Sequence, residues 1–268
     1  MEDIPLLGKS GKSSITTSSS SSQYDWLCCC GKQPRLRWGD VDATASQKAR
    51  VAELKTTVQE KYDAKKETHR KLWKELWSLL STTTANYPGD VGTHWVDLGF
   101  QQSNPSSDLR GAGIVGLKHL INFVRCNVDF SRSVLQKYPN FPFCVAGLNA
   151  SHCLFYHLQL YRGRTAVPPY GGSLQNTTTF FAIGEGEDRR DLVCFLLMID
   201  RIGYTKSMQK MYSCAFHAII EGWQKMADSD SASVLDLLRF NSVVLPCGWK
   251  AAESLLLNDR TCMVHQKM

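Results

Sequence analysis

The strongest constraint on the fold is the spacing of apolar residues, which recur three and four positions apart in one segment after another and seldom alternate. From Ser46 onward, Val51, Leu54, Val58 and Tyr62 stand among many Lys, Glu and Gln residues, the mark of an amphipathic helix with a narrow stripe. In "HRKLWKELWSLL", Leu72, Trp73, Leu76, Trp77 and Leu80 share one broad face, so both tryptophans are expected in the core; "STTTANYPGD" ends that helix. After the "NPSSD" turn, Ser106, Ser107 or Asp108 can cap a further helix whose apolar positions are Leu109, Leu117, Leu120, Ile121 and Val124. "CVAGLNASHCLFYHLQLY", "DLVCFLLMIDRI" and "YSCAFHAIIEGWQKM" read as buried helices, and "SVLDLLRFNSVVL" as a last one before a polar C-terminus. Strand signals are few. The pattern predicts an all-α fold, a single bundle of roughly six to eight helices.

Composition narrows the class further. A chain of 268 residues has room for one sizeable core and a tail, and 43% hydrophobic with 10% aromatic residues is the make-up of a globular protein. Residues 1–45 read as a disordered arm, because "SSITTSSSSSQ" is low in complexity and has almost nothing apolar to bury. Residues 46–262 are expected to form the helical domain. A net charge of +6 is too mild to argue for nucleic acid. The longest uncharged apolar run, "LVCFLLMI" from Leu192 to Ile199, falls far short of the ~20 residues that span a bilayer. The acidic N-terminus lacks the apolar stretch of a secretory signal. A cytoplasmic protein with reduced thiols at its ten cysteines is therefore expected. His152, Cys153 and His157 lie in an apolar stretch with no second ligand pair at zinc spacing, so they are assigned to the interior and no metal site is assigned.

Inside the arm, "YDWLCCCGKQPRLRW" sets Cys28, Cys29 and Cys30 beside Trp26, Leu27 and the cations Lys32, Arg35 and Arg37. Acyl chains on these cysteines, together with the basic residues, would give peripheral attachment to an anionic membrane; an exposed cysteine cluster without such a role is the alternative. Between helices, "RGRTAVPPYGGSLQNTTTFFAIGEGEDRR" is a long Gly/Pro/Thr-rich insertion, of a length that marks either a functional loop or a disordered one.

The stretch "LRGAGIVGL" carries Gly111, Gly113 and Gly116 at the spacing of a dinucleotide-binding loop. That motif requires a buried strand before it, so that the helix N-terminus faces the pyrophosphate. The preceding "FQQSNPSSDLR" is polar, contains an Asn-Pro break and has no β-branched run, which argues against a nicotinamide or flavin cofactor. In a helix each glycine costs roughly 1 kcal/mol relative to alanine. Their presence implies that something approaches the backbone closely, either another helix or a partner protein.

"WVDLGFQQSNPSSDLRGAGIVGLKHLINF", Trp95 to Phe123, resembles the ELMO domain, whose signature runs approximately WxxxGFQxxxPxTDFRGxGxLxLxxLxYF. "LWKELWSLL" is similar to that family's leading helix, "FPFCVAGLNAS" to its YPFAVAGINLT segment, and "YSCAFHAIIEGWQ" with "LLRFNSVV" to its closing helices, so the likeness covers about residues 70–245. Leu109, Ser107 and Asn122 depart from the family's phenylalanine, threonine and tyrosine, and the insertion around Pro168 to Arg190 departs further. The resemblance implies a helical module like that of the small ELMO-domain proteins, an enzyme regulator that activates GTP hydrolysis by small GTPases of the Arf and Arf-like group. In that reading the protein needs no cofactor of its own, since GTP and Mg²⁺ belong to the partner. The arginine of the family's DFRG motif falls on Arg110, and Trp95, Gly99, Phe100, Gln101, Pro105, Asp108, Gly111 and Gly113 fall on the motif around it. Asp108 is then expected to cap the helix or pair with Arg110, Pro105 to fix the entry turn, and Gly111 and Gly113 to leave room for the partner's switch region. The alternative implied by the larger engulfment proteins of the family is a non-catalytic scaffold in a Rac-activating assembly with a DOCK-type exchange factor.

Overall fold

The computed structural model describes residues 44–82, 86–161, 190–229 and 239–258. The Ser-rich arm with Cys28, Cys29 and Cys30, and the insertion up to residue 189, lie outside the described residues. Among the described residues the secondary structure is helical, with no strand.

α1 (Ala45–Thr57) opens on a capping box: Thr44 Oγ1 accepts from the Gln47 N–H at 3.2 Å, and the Gln47 side chain accepts from the Thr44 N–H at 3.1 Å. These bonds satisfy two donors that the first turn would otherwise leave unpaired. Val51 and Leu54 are buried along its stripe. The periodicity outlasts the helix: Val58 is buried as its C-cap, and Tyr62 packs on the core from the following linker. α2 (Glu67–Leu80) buries Trp73, Leu76 and Leu80, while Trp77 is partly covered. α3 (His94–Asp97) is a single turn built around the fully buried Trp95.

α4 (Gly113–Cys126) and α5 (Val128–Lys137) follow, and then α6 (Phe143–His157), which is buried over most of its circumference. α6 packs against α4 and against both C-terminal helices of the bundle, which explains why its sequence is apolar on nearly every face. α7 (Arg190–Ile202) stops at Gly203, whose φ of +82° is the left-handed conformation of a helix C-terminus; its N–H returns to Ile199 O at 2.8 Å. α8 (Tyr204–Ser229) then runs for 26 residues across the bundle.

The C-terminal segment differs from the sequence reading. A π-helical turn, Phe240–Val244, leads into α9 (Leu245–Leu257), where a polar tail was expected. Pro246 falls in the first turn, where its missing N–H costs no hydrogen bond. Trp249, Ala252 and Leu256 are buried, and the Trp249 ring stacks on His157 at 3.9 Å. Cys126, Cys144, Cys153, Cys214 and Cys247 are free thiols as expected, but Cys194 is disulfide-bonded.

One loop junction fixes where α6 begins. The chain turns at Gly99, with φ +84°, so that Leu98 O accepts from the Cys144 N–H at 3.3 Å and Gly99 O from the Val145 N–H at 3.2 Å. Two orphan donors of the first turn of α6 are thereby satisfied by backbone carbonyls. A Cβ on Gly99 would lie 2.3 Å from Phe143 N, whereas a Cβ on Gly203 would meet nothing within 4 Å. Gly203→Ala should therefore cost only the left-handed penalty of about 1–2 kcal/mol, and Gly99→Ala that penalty plus an overlap of about 1–3 kcal/mol. Thermal unfolding should show the larger fall in Tm for Gly99→Ala; equal falls would remove the packing argument.

Candidate functional site

The segment from Gly89 to Gly113 is irregular, yet it is held at many points. Trp95 donates its indole N–H to Gly89 O at 3.2 Å, and its ring packs edge-on against Trp73 (5.4 Å between centroids) and Phe100 (5.6 Å). Burying such rings contributes several kcal/mol each, since truncating a core Phe or Trp to Ala costs about 3–5 kcal/mol. Trp95, Phe100 and Pro105 are all buried, so their part is to anchor the loop from inside. Gln101 is exposed, as are Gln102, Ser103 and Asn104 beside it.

A 3₁₀ turn, Pro105–Arg110, carries the arginine. Its cap is Asn104, whose Oδ1 accepts from the Ser106 N–H at 3.2 Å and from the Ser106 hydroxyl at 2.7 Å, while Ser107 Oγ donates to Asn104 O at 2.8 Å. The expected roles of Ser106, Ser107 and Asp108 as caps of one continuous helix are thus corrected. α4 begins only at Gly113, and Asn104 holds a separate turn ahead of it, because an asparagine before proline initiates a turn through its own side chain.

Asp108 neither caps α4 nor forms an ion pair with Arg110. Its Oδ2 accepts from the Gln101 N–H at 2.9 Å, tying the GFQ turn to the DLR turn, and its Oδ1 is buried without a hydrogen-bond partner. Burial holds the carboxyl above the usual aspartate range, while the Gln101 N–H and the Arg110 charge pull the other way. Leu109 and Ala112 point inward and are buried, whereas Arg110 is exposed and makes no hydrogen bond or ion pair among the described residues. The guanidinium is free to meet an anion brought from outside.

The backbone behind Arg110 is fixed by Tyr161, which the sequence did not single out, and by His152, which it assigned only to the interior. Tyr161 donates its hydroxyl proton to Gly111 O at 2.7 Å. Having only one proton, it accepts from His152 Nδ1, and a Cβ on Gly111 would lie 3.1 Å from that imidazole. Gly113, at φ +58°, sits under Glu60 O, which would be 2.5 Å from a Cβ there and which accepts the Ile114 N–H at 3.1 Å. Gly116 faces Leu148 and Ser151 of α6. The groups that a Cβ on Gly111, Gly113 or Gly116 would meet are therefore this chain's own, while Gly111 and Gly113 are themselves half-buried. No group of three or more His, Cys, Asp or Glu residues able to hold a metal ion is present among the described residues; Cys153 is buried, and His157 stacks on Trp249.

Residues 52–237 match the ELMO/CED-12 family. The chain belongs to that family. ELMO domain-containing protein C of Dictyostelium discoideum is 33% identical over 135 residues, covering 48% of this chain and 20% of that protein. ELMO domain-containing protein 3 of Homo sapiens is 41% identical over 70 residues, 23% of this chain and 18% of the relative. ELMO domain-containing protein 2 of Mus musculus is 30% identical over 98 residues, 35% and 33% respectively. The chain thus spans a third or less of the length of these relatives. No solved structure matches it significantly.

The state of Asp108 in this ELMO module gives a pH signature. A carboxyl whose pKa in the folded protein lies above its ordinary 3.8 favours folding while protonated, and that stability is lost as pH rises through the folded value. Asp108→Asn keeps an acceptor for the Gln101 N–H and cannot ionise. In urea titrations the stability of the variant relative to wild type should rise from about pH 4 towards neutral. A difference independent of pH would show that the buried carboxylate carries no such cost.

Proposed function

We propose that this ELMO module acts in small-GTPase signalling as a GTPase-activating protein for a GTPase of the Arf or Arf-like group, with Arg110 inserted in trans as an arginine finger. The observation that carries the reading is the contrast at one residue: an exposed, unpaired guanidinium on a backbone braced by Asp108, Tyr161, His152 and the buried Leu109 and Ala112. In GTP hydrolysis charge spreads over the oxygens of the transferring phosphoryl group, and a planar guanidinium donates a rigid fork of hydrogen bonds to them. Such a finger accounts for a factor of ~10³ to 10⁵, or about 4 to 7 kcal/mol of barrier. Ordering one arginine side chain costs only up to about 2 kcal/mol, so the net effect stays strongly favourable. Family membership and the match of the Arg110 motif support the choice of substrate class, and the exposed guanidinium supports the choice of residue.

The test is single-turnover GTP hydrolysis across a panel of Arf and Arf-like proteins. Wild type should accelerate at least one of them. Arg110→Ala should fold with an unchanged Tm and lose the stimulation by about 10³-fold or more, and Arg110→Lys should recover little of it, because an ammonium lacks the fork. Stimulation that survives both substitutions would end the arginine-finger reading, and stimulation of no GTPase by wild type would favour the scaffold instead.

Peripheral membrane attachment from the cytoplasm is proposed on the sequence of the arm alone. Replacing Cys28, Cys29 and Cys30 together with serine should move the protein from the membrane to the supernatant fraction of a cell lysate; an unchanged distribution would leave the cluster without this role.

A further inference from the structure

α4 carries, about two turns beyond Gly113, a feature that the GTPase reading does not use. A cleft of about 190 Å³ opens between α4, the start of α8 and Thr57 at the end of α1. Its walls are largely apolar, with Val115, Phe123, Met208 and Tyr212 among the lining residues, and its polar groups include Lys118 and His119. Among the described residues no acidic side chain lines it. For scale, an engineered apolar cavity of about 150 Å³ binds benzene. This cleft is therefore large enough for a single ring or a branched chain, and well below the several hundred Å³ of a site for a drug-sized ligand.

His119 gives the cleft its direction. The imidazole is held between the rings of Phe155 (5.7 Å) and Tyr212 (5.4 Å), and its Nδ1 lies 2.9 Å from Ser151 Oγ. Burial lowers its pKa to about 4, so the ring is neutral at physiological pH. Ser151 is fully buried on α6 and has no other hydrogen-bond partner for its hydroxyl. Donating that proton to Nδ1 satisfies both groups, whereas the opposite arrangement leaves a buried hydroxyl proton unpaired. The tautomer with hydrogen on Nε2 is the one that remains. Nε2 makes no hydrogen bond among the described residues, and His119 is half-buried and lines the cleft. An N–H donor in an apolar wall, with the exposed Lys118 beside it on the same helix, lining the cleft and with a charge that also reaches the Glu60 carboxylate, is a receptor for an acceptor group that bears negative charge.

We propose that the α4–α8 cleft is a binding site for a small monocarboxylate with an apolar body of one ring or one branched chain, its carboxylate received by the Nε2–H of His119 and the ammonium of Lys118. The inference does not depend on the GTPase reading, since its test measures binding alone.

Phenylacetate and its uncharged isostere phenylacetamide are the probes, titrated into the full chain and followed by saturation-transfer NMR. A ligand of this size in a preformed cleft should bind phenylacetate with a Kd from about tens of micromolar to millimolar, and phenylacetamide several-fold more weakly. Lys118→Gln, at an exposed position, should erase most of the preference for the acid while leaving the amide unchanged. His119→Leu should weaken phenylacetate by about tenfold or more, as expected for the loss of a buried hydrogen bond to a charged group, and phenylacetamide by less. Val115→Phe, which fills the cleft, should abolish binding of both. No saturation transfer to wild type at 10-fold excess over about 1 mM, or equal affinity for acid and amide in wild type, overturns the proposal. If His119→Leu or Val115→Phe fails to fold, the Lys118→Gln comparison still decides it.

Discussion

Two carbonyl oxygens, those of Leu98 and Gly99, accept the free N–H groups at the start of α6, and the placement of Arg110 depends on this junction. The loop that carries Gly99 is fastened to the most buried helix of the bundle, and it enters the core through Trp95 and Phe100. Its next residue, Gln101, passes the constraint on by donating its N–H to Asp108, two positions before the arginine. A backbone conformation open mainly to glycine thus sets the register of a 3₁₀ turn that has no helix ladder to set it.

The glycines of "LRGAGIVGL" follow the same logic in the next turn. Each lies where a side chain would crowd this chain's own atoms: a Cβ would press on the His152 ring at Gly111 and overlap the Glu60 carbonyl at Gly113 and the Ala112 Cβ at Gly116. Their cost in helix propensity is accepted in return for close packing that leaves the backbone around Arg110 little freedom.

Most of the helices were legible in the sequence because each buries a stripe or face of Leu, Ile, Val and Trp at helical spacing, a local property. Two of the places where the reading missed have a shared cause. The continuous helix expected through Asp108 and Arg110 is divided by Gly111 to Gly113, and the division is stabilised by Tyr161, His152 and Glu60, contacts at separations of roughly forty to fifty residues that no periodicity records. The polar tail expected after Leu245 is a helix because Pro246 falls in its first turn and Trp249 finds His157 on α6; the local signal of "PCGW" is a break, and tertiary packing overrides it. Within the site, the motif pointed to Arg110 and its neighbours. The cap at Asn104 was also readable from the Asn-Pro dipeptide, whereas the role of Asp108 as a tie to Gln101 was not.

α9 lies wholly beyond the residues that match the family, which end at 237. It nevertheless contributes Leu245, Trp249, Ala252 and Leu256 to the shared interior and packs on α6 and α8. The unit that folds is accordingly larger than the unit by which kinship is recognised. A fragment cut at the kinship boundary would strip an apolar face from the very helix whose other end frames Arg110.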